Sequence, residues 1–255
     1  MPVSSRPMDI VDLREFYTSR LGDTTRRLIA NRLKARLGPV AGATVMGLGY
    51  ATPYLEDCAA EAQRAMAFML ATQGVIHWPA DGPVQSALVD EFDLPLLEST
   101  VDLALVVHGL ELTDAPDEML KEIWRVLAPQ GRLLLAVPNR RGLWASFDSS
   151  PFGYGQPFSR PQLSRLLRDS QFSVVSWSPA LFFPPTGRAP FLSWAGFFES
   201  LGNRLMPGFS GVVIVEAVKQ VYAISTGKRA RRLAPGRRPA LTPLSAGRTS
   251  TRSWP

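Results

Sequence analysis

One short apolar run, Val101–Val107, most limits what this chain can fold into. It contains one charged residue in seven, which predicts a strand buried on both faces rather than the exposed edge of a sheet. Similar short runs recur along the chain and alternate with helical patterns, which predicts an α/β fold with a doubly wound, mostly parallel sheet of seven strands. The other six strands are expected at residues 43–48, 65–71, 86–89, 132–137, 172–177 and 212–218.

Helix start signals fall between these strands. The segment 9–37 carries apolar residues at helical spacing and predicts a leading helical segment within residues 1–38. Thr52 is a good N-cap with Pro53 at the first helical position, so a helix is expected from there to about residue 63. Asp114 is expected to cap a helix that ends near Gln130, and the capping-box residues Ser159 and Gln162 predict one that ends near residue 169.

An aromatic-rich segment precedes the last strand. Residues 178–211 contain seven of the 24 aromatic residues of the chain: Phe182, Phe183, Phe191, Trp194, Phe197, Phe198 and Phe209. This composition is typical of a lid, a dimer face or a membrane-contacting surface, although packing on the edge of the sheet is the simplest alternative. Nothing else divides the chain, so residues 1–226 are expected to form one domain, with this segment as an insertion.

Charge is distributed unevenly along the chain. The formal net charge is +6, yet all 22 acidic residues lie at or before Glu216 and eight of the 28 basic ones lie in the last 28 residues. Residues 1–225 therefore carry a net charge of −2. The basic tail, residues 227–255, has few large apolar residues and is expected to be disordered. We interpret it as a solvated end, with nucleic-acid or membrane-surface binding as alternatives.

Cysteine and histidine are scarce. The single cysteine, Cys58, excludes an intrachain disulfide, and with only His77 and His108 the chain offers poor material for a structural zinc site. We expect chemistry without a metal. No run of about 18 apolar residues occurs and the first 30 residues lack the apolar centre of a signal peptide, which predicts a cytoplasmic protein.

Candidate binding residues converge on one edge of the predicted sheet. In open α/β sheets ligands bind outside the carboxyl ends of the strands, near the switch point beside the first strand. The loop 47–52, the residues 71–73, the pair Asp90 and Glu91, and His108 all follow strands at this edge. The loop lacks the third glycine and the later acid of a dinucleotide fingerprint, which argues against a nicotinamide enzyme, and no Gly-Lys-Ser/Thr follows to make a P-loop.

The order of motifs resembles the class I S-adenosylmethionine-dependent methyltransferases, of the methyltransferase type 11 kind. The resemblance covers residues 40–140 well and 141–218 loosely. Its best-matching pieces are the stretches DEFDLPL at 90–96, STVD at 99–102, VHGLE at 107–111 and EIWRVLAPQGRL at 122–133. The resemblance implies S-adenosylmethionine as the cofactor and a Rossmann-like fold.

The same resemblance implies roles for several residues. Asp90 or Glu91 would accept a hydrogen bond from the adenine amino group, Gly49 would let the backbone approach the methionine moiety, and residues near His108 would flank the sulfonium. The remaining residues implied to line the cofactor are Gly47, Tyr50, Ala51, Thr72 and Gln73.

The chain departs from the family pattern at two places. An acid and three alternating glycines are usual after the first strand, where this chain has Gly47, Gly49, Ala51 and Pro53. The acid that normally ends the second strand and holds the ribose has no counterpart near Ala71, although Thr72 or Gln73 could supply neutral hydrogen bonds. Losing a charge-assisted contact weakens binding by about 1.5–3 kcal/mol.

Several side chains near the crevice have both functional and structural interpretations. His108 is a candidate general base or a hydrogen-bonded structural residue, and Glu111 orients a ligand or caps a turn. Arg140 and Arg141 would neutralise an anionic substrate or lie in an exposed turn. The segment 151–158 covers a substrate or serves as a rigid connector.

Methyl transfer from a sulfonium releases a neutral thioether, which is a good leaving group. A protein can therefore catalyse the transfer by positioning the acceptor, excluding water and, in some cases, supplying one base. The leading hypothesis is therefore a methyltransferase that acts on a small-molecule acceptor. The main alternative is a catalytically inactive protein of the same fold that binds or regulates, and a third is a nucleic-acid methyltransferase that uses the basic tail.

Overall fold

The computed structural model describes residues 8–147 and 150–221. These residues form seven helices, seven strands and three short 3-10 turns, at 143–146, 151–153 and 207–209. The helices are α1 (Ile10–Thr18), α2 (Arg20–Leu37), α3 (Thr52–Ala59), α4 (Pro116–Val126), α5 (Arg160–Asp169), α6 (Ala189–Ser193) and α7 (Ala195–Leu205). The strands are β1 (Thr44–Gly49), β2 (Arg64–Leu70), β3 (Ser86–Val89), β4 (Val101–Val107), β5 (Leu127–Pro138), β6 (Phe172–Ala180) and β7 (Val212–Lys219). The tail that the sequence predicts to be disordered, residues 227–255, lies outside the described residues.

The seven strands form one sheet in the order β3-β2-β1-β4-β5-β7-β6. Strands β1 to β5 pair in parallel, whereas β7 is antiparallel to both β5 and β6. The predicted fold class, an α/β mostly parallel seven-stranded sheet, is confirmed. Strand β4 lies at its centre, and five of its seven residues are fully buried, as its apolar composition predicts.

Two apolar cores lie on the two faces of this sheet. Helices α1, α2 and α3 contribute Leu13, Ile29 and Leu55 to one core, while α4 and α5 contribute Ile123 and Leu167 to the other. All five of these side chains are at most 1% exposed. The sheet is therefore covered on both sides, and its strand ends are the natural place for a ligand.

Some predicted element boundaries are wrong. Helix α3 ends at Ala59 rather than near residue 63, because the chain must turn there to bring Gln63 into a hydrogen bond with the carbonyl of Ala43. Thr52 is the first helical residue and not the N-cap, and Asp114 does not cap α4, whose N-cap position is held by Ala115.

The strand β5 begins at Leu127, directly after α4, because Leu127 already pairs with Val101 of β4. In contrast, the capping box at Ser159 and Gln162 is present, with α5 running to Asp169 as predicted.

Candidate functional site

The ends of β1 and β4 meet closely at the carboxyl edge of the sheet. The amide of Tyr50 donates to the carbonyl of Val107 at 2.7 Å. Gly49 has a φ of +78°, and a Cβ there would lie 2.4 Å from that same carbonyl oxygen and 2.7 Å from the carbonyl oxygen of His108. Glycine is therefore required at position 49 for two reasons. Its φ is positive, and the carbonyl oxygens of Val107 and His108 lie where a Cβ would be.

His108 leaves β4 with a φ of +50°, in the left-handed region that non-glycine residues rarely adopt. Strained residues of this kind concentrate at binding and catalytic sites. The turn directs its imidazole into the crevice on the α1 side of the sheet, where it is 1% exposed.

The imidazole belongs to a buried chain of polar groups. The hydroxyl of Tyr54 donates to the hydroxyl of Tyr17 at 3.1 Å, and the Tyr17 hydroxyl lies 2.8 Å from Nε2 of His108. On the other side of the ring, Nδ1 lies 3.3 Å from a carboxylate oxygen of Glu111. All four side chains are less than 9% exposed.

Two tautomers of His108 fit this chain. Nε2 accepts from the Tyr17 hydroxyl when the ring proton lies on Nδ1, and donates to it when the ring proton lies on Nε2. The pKa of Tyr17 is raised well above its ordinary value, mainly by burial and secondly by the neighbouring Tyr54, so this phenol stays protonated.

Unpaired polar atoms collect around the same imidazole. Both carboxylate oxygens of Glu111, Nδ1 of His108 and Oε1 of Gln73 are buried and have no partner of hydrogen-bonding geometry among the described residues. The Gln73 amide group uses its Nε2 to donate to the His108 carbonyl at 2.7 Å. Buried polar groups are normally satisfied, so this cluster is typical of a site that binds a ligand or water.

Helix α1 lies across the strand ends and covers this cluster. Its first residue donates an amide hydrogen bond to the carbonyl of Gln73 at 2.8 Å, which ties the helix to the turn after β2. At its other end the ring of Tyr17 stacks on the ring of Tyr50, with centroids 5.4 Å apart. The space above the loop that follows β1 is thus occupied by tyrosine side chains.

Aromatic residues close the crevice from the opposite side. The ring of Phe152 lies 4.7 Å from the imidazole of His108, and Trp144 packs behind it. The indole of Trp144 donates to the carbonyl of Phe183 at 2.7 Å. The segment 151–158 therefore covers the candidate site, and the insertion contributes Phe183 to the same wall.

The sequence-predicted site residues divide into a buried and an open group. Tyr50, Ala51 and the two glycines are buried, and Gly47 packs against Leu55 of α3 rather than facing the crevice, since a Cβ there would lie 2.5 Å from the Leu55 side chain. Gln73 and His108 meet directly.

Thr72 and Asp90 form the open group at the ends of β2 and β3. One Asp90 oxygen accepts from the amide of Phe92 at 2.9 Å, which leaves its second oxygen available. The neighbouring Glu91 is 8% exposed.

Two predicted candidates lie elsewhere. Arg140 and Arg141 are exposed and line separate cavities of about 260 and 100 Å³, which are not lined by His108 or Asp90. Sequence reasoning also missed Tyr17 and Tyr54, because their roles depend on long-range contacts. Phe152, in contrast, lies in the segment 151–158 that the sequence marked as a candidate cover. The only available signal was the presence of tyrosines in an otherwise amphipathic leading helix and in α3.

An open hollow adjoins the covered crevice. It has a volume of about 580 Å³ and lies between α1, the start of α3 and the segment 76–80. Arg14, Arg26 and Glu56 line it together with Tyr50, so its wall carries charges of both signs. Its size falls within the range of small-molecule pockets.

Within residues 8–147 and 150–221, no cluster of three or more potential metal ligands occurs. No helix among those residues has both the length and the hydropathy needed to cross a membrane. Cys58 is buried in α3 and its thiol is free.

Comparisons with known proteins relate part of the chain to one family. Residues 31–135 match the family model of the methyltransferase domain. No curated protein matches the sequence.

Solved structures share the fold. A chain of the complex between the Haloferax volcanii Trm112 methyltransferase activator and a methyltransferase has a TM-score of 0.61 at 20% identity, over 84% of this chain and 99% of that one. A SAM-dependent methyltransferase from Archaeoglobus fulgidus has a TM-score of 0.57 at 16% identity, over 82% and 98%. The [4+2]-cyclase SpnF has a TM-score of 0.55 at 21% identity, over 76% and 80%.

The residues at this edge fit only the adenosine half of S-adenosylmethionine. The open carboxylate of Asp90 and the hydroxyl of Thr72 are suitable acceptors for the adenine and ribose. The methionine half would need the volume above Gly49 that Tyr17 and Tyr50 fill in this arrangement. The full cofactor is therefore accommodated only if α1 moves away from the strand ends.

Proposed function

We propose that this chain, which carries a methyltransferase domain over residues 31–135, transfers a methyl group from S-adenosylmethionine to a small-molecule acceptor. The observation that carries the proposal is the imidazole of His108, which directly follows the central strand and holds Nε2 2.8 Å from the Tyr17 hydroxyl in the crevice. A methyl acceptor with a hydroxyl, amine or carboxyl group needs a base at such a position.

In this proposal the chain holds the cofactor at three points. Asp90, or Glu91 beside it, accepts a hydrogen bond from the adenine, and Thr72 and Gln73 bind the ribose hydroxyls. The backbone turn at Gly49 contacts the methionine end of the cofactor after Tyr17 has moved away with α1. When bound, the cofactor supplies an electrophilic methyl group whose leaving group is neutral.

The covering helix controls both parts of the proposed site. Tyr17 fills space above the β1 loop, and its hydroxyl also occupies the hydrogen-bonding position at Nε2 of His108. Removal of α1 from the strand ends would therefore open the volume for the cofactor and free Nε2 in one movement. Glu111 would remain 3.3 Å from Nδ1 on the other side of the ring.

The size of the open hollow supports a small acceptor. A cavity of about 580 Å³ admits a small molecule, and its lining carries both signs of charge, from Arg14, Arg26 and Glu56. Arg14 belongs to α1, so this wall of the hollow withdraws together with the helix. A location in the cytosol and a substrate other than nucleic acid stay predictions of the sequence.

A second candidate function rests on the covered crevice. If α1 stays in place, the fold has no room for the methionine half and acts as a binding or regulatory module without catalysis. SpnF, which has a similar fold, is named a [4+2]-cyclase and not a methyltransferase. One fold can thus host more than one activity.

Titration calorimetry with S-adenosylhomocysteine separates the two candidates. Micromolar binding by the full chain, weakened by Asp90→Ala and not by Asp93→Ala, supports the methyltransferase. Transfer of radiolabelled methyl groups into a fraction of small metabolites then tests the reaction itself. If neither the wild type nor Tyr17→Ala binds at millimolar concentration, the methyltransferase proposal is wrong.

A further inference from the structure

An apolar surface covers α7 and the turn that follows it. Six large apolar side chains here are between 42% and 64% exposed, and we name them the α7 surface: Trp194, Phe197, Leu201, Leu205, Met206 and Phe209. Isolated exposed apolar residues are common, whereas six on one short segment indicate an interaction surface.

Helix α7 meets the domain through a narrow inner face. Its buried residues are Ala195, Glu199 and Gly202; Gly202 packs against the ring of Phe182, and Phe198 is partly buried against the core. The Glu199 carboxylate accepts from the amide of Phe182 at 2.6 Å and lies 3.7 Å from Arg32. These contacts fix the helix to the body of the protein.

Four apolar residues, in contrast, share one outward stripe. Positions 194, 197, 201 and 205 are spaced by three or four residues, which places them on one side of a helix. A helix of a globular domain normally turns such a stripe toward the core. Here the apolar stripe faces away from the core and is available to a partner outside the domain.

The charges around the α7 surface indicate what kind of partner it binds. Between residues 188 and 209 the exposed charged side chains are Arg188 and Arg204, while the one acid of the segment, Glu199, is buried against Arg32. Tryptophan, phenylalanine and leucine beside arginines, without exposed acids, are the composition of helices that lie in the surface of an anionic bilayer.

We infer that the α7 surface binds the surface of a membrane that contains anionic lipids. A second copy of the chain is a poorer occupant, because both exposed charges of the segment, Arg188 and Arg204, are basic, and the segment offers no exposed acid to pair with them across a symmetric contact. The inference does not depend on the proposed methyltransferase activity.

The inferred contact also lies near the candidate site. The side-chain amide of Asn139, which follows β5, donates to the carbonyls of Gly208 and Ser210 at 3.0 and 2.8 Å. The end of the α7 surface is therefore attached to the same carboxyl edge of the sheet that carries His108. Binding of the bilayer would place this edge close to the lipid headgroups.

Sedimentation of the full chain with vesicles tests the inference. We expect the protein to sediment with vesicles of phosphatidylcholine and phosphatidylglycerol, less at high salt, and weakly with phosphatidylcholine alone. Phe197→Glu and Leu201→Glu should each lower the partition coefficient roughly 10- to 100-fold, because each removes a buried apolar side chain from the lipid. The matched control is Leu97→Glu, which changes a leucine that is 79% exposed outside the surface.

Three results would overturn the inference. One is failure to sediment with the anionic vesicles. Another is equal binding by Phe197→Glu and the wild type, which would assign the binding to charge elsewhere in the chain. The third is a dimer in analytical ultracentrifugation that Phe197→Glu dissociates, without vesicle binding by the wild type, which would assign the surface to a second copy. Circular dichroism of each variant checks that it is folded.

Discussion

The hydroxyl of Tyr17 on α1 lies 2.8 Å from Nε2 of His108 at the end of β4. This contact joins the helix that covers the crevice to the residue with the strongest claim to a role in catalysis. It also means that the conformation of α1 and the availability of the imidazole cannot change independently.

Tyr17→Ala should therefore strengthen the binding of S-adenosylhomocysteine. The substitution removes the ring that stacks on Tyr50 and favours the arrangement in which α1 leaves the strand ends, and apparent affinity rises with the population of that arrangement. We expect an increase of roughly tenfold or more by titration calorimetry. Val11→Ala, on the exposed side of the same helix, should leave the affinity unchanged. Weaker binding by Tyr17→Ala would show that Tyr17 holds the ligand rather than excluding it.

Asp90→Ala should weaken the same binding by about 10- to 100-fold, which corresponds to the loss of one charge-assisted hydrogen bond. The Asx turn to Phe92 is lost as well, so the variant must be compared with Asp93→Ala, which changes another exposed carboxylate of the same turn. Equal effects of the two substitutions would assign the loss to the turn and remove Asp90 from the binding site.

His108→Gln should lower the rate of methyl transfer about 100- to 10,000-fold, the usual contribution of a general base. The affinity for S-adenosylhomocysteine should stay within a few-fold, because the amide retains the shape of the site. Glu111→Gln should lower kcat less, since Glu111 acts through the imidazole as a positioning residue. A fall in affinity with no change of kcat in either variant would contradict these roles.

Gly49→Ala should destabilise the fold by about 2 kcal/mol or more, because alanine must adopt a positive φ and place its Cβ against the carbonyls of Val107 and His108. Chemical denaturation measures the loss. The control is Gly196→Ala in α7, where a Cβ has no neighbour within 4 Å and helix propensity favours alanine. Equal stability of the two variants would contradict the packing described for the β1 loop.

Cys58 should react slowly with thiol reagents in the folded protein. Burial, followed by the charges of Asp57 and Glu61, raises the pKa of the thiol from 9.0 to about 11, which leaves roughly 100-fold less thiolate at about pH 8. The side chain is also 1% exposed. Labelling kinetics with a disulfide reagent should therefore be slow, rise steeply above pH 10, and become fast in guanidinium chloride. Fast labelling of the native chain would show that α3 opens locally.

The fold could be predicted from the sequence because its signals are local. Val101–Val107 matches β4 residue for residue, and Ser86–Val89 matches β3, since each is a short run bounded by polar turns. Boundaries failed where tertiary pairing overrides local signals. Leu127 enters β5 at once because Val101 provides a partner, although the helical pattern continues toward Gln130.

The candidate site could be predicted only in part, for the same physical reason. Topology brings Gly49, Gln73 and His108 to one edge whatever their neighbours are, so their meeting follows from the order of the strands. The contact of Tyr17 with His108 joins residues 91 positions apart, and nothing in the spacing of an amphipathic helix announces it.

The position of β7 has a consequence for how the chain is made. Although β7 follows β6 in the chain, it lies between β5 and β6 and pairs with both. During synthesis β6 has no partner in this sheet, and β5 keeps one edge unpaired, until residues 212–219 leave the ribosome. The half of the sheet from β3 to β5 can form first, whereas the other half is completed only when β7 inserts between β5 and β6, and a chain that lacks β7 would expose an edge prone to aggregation.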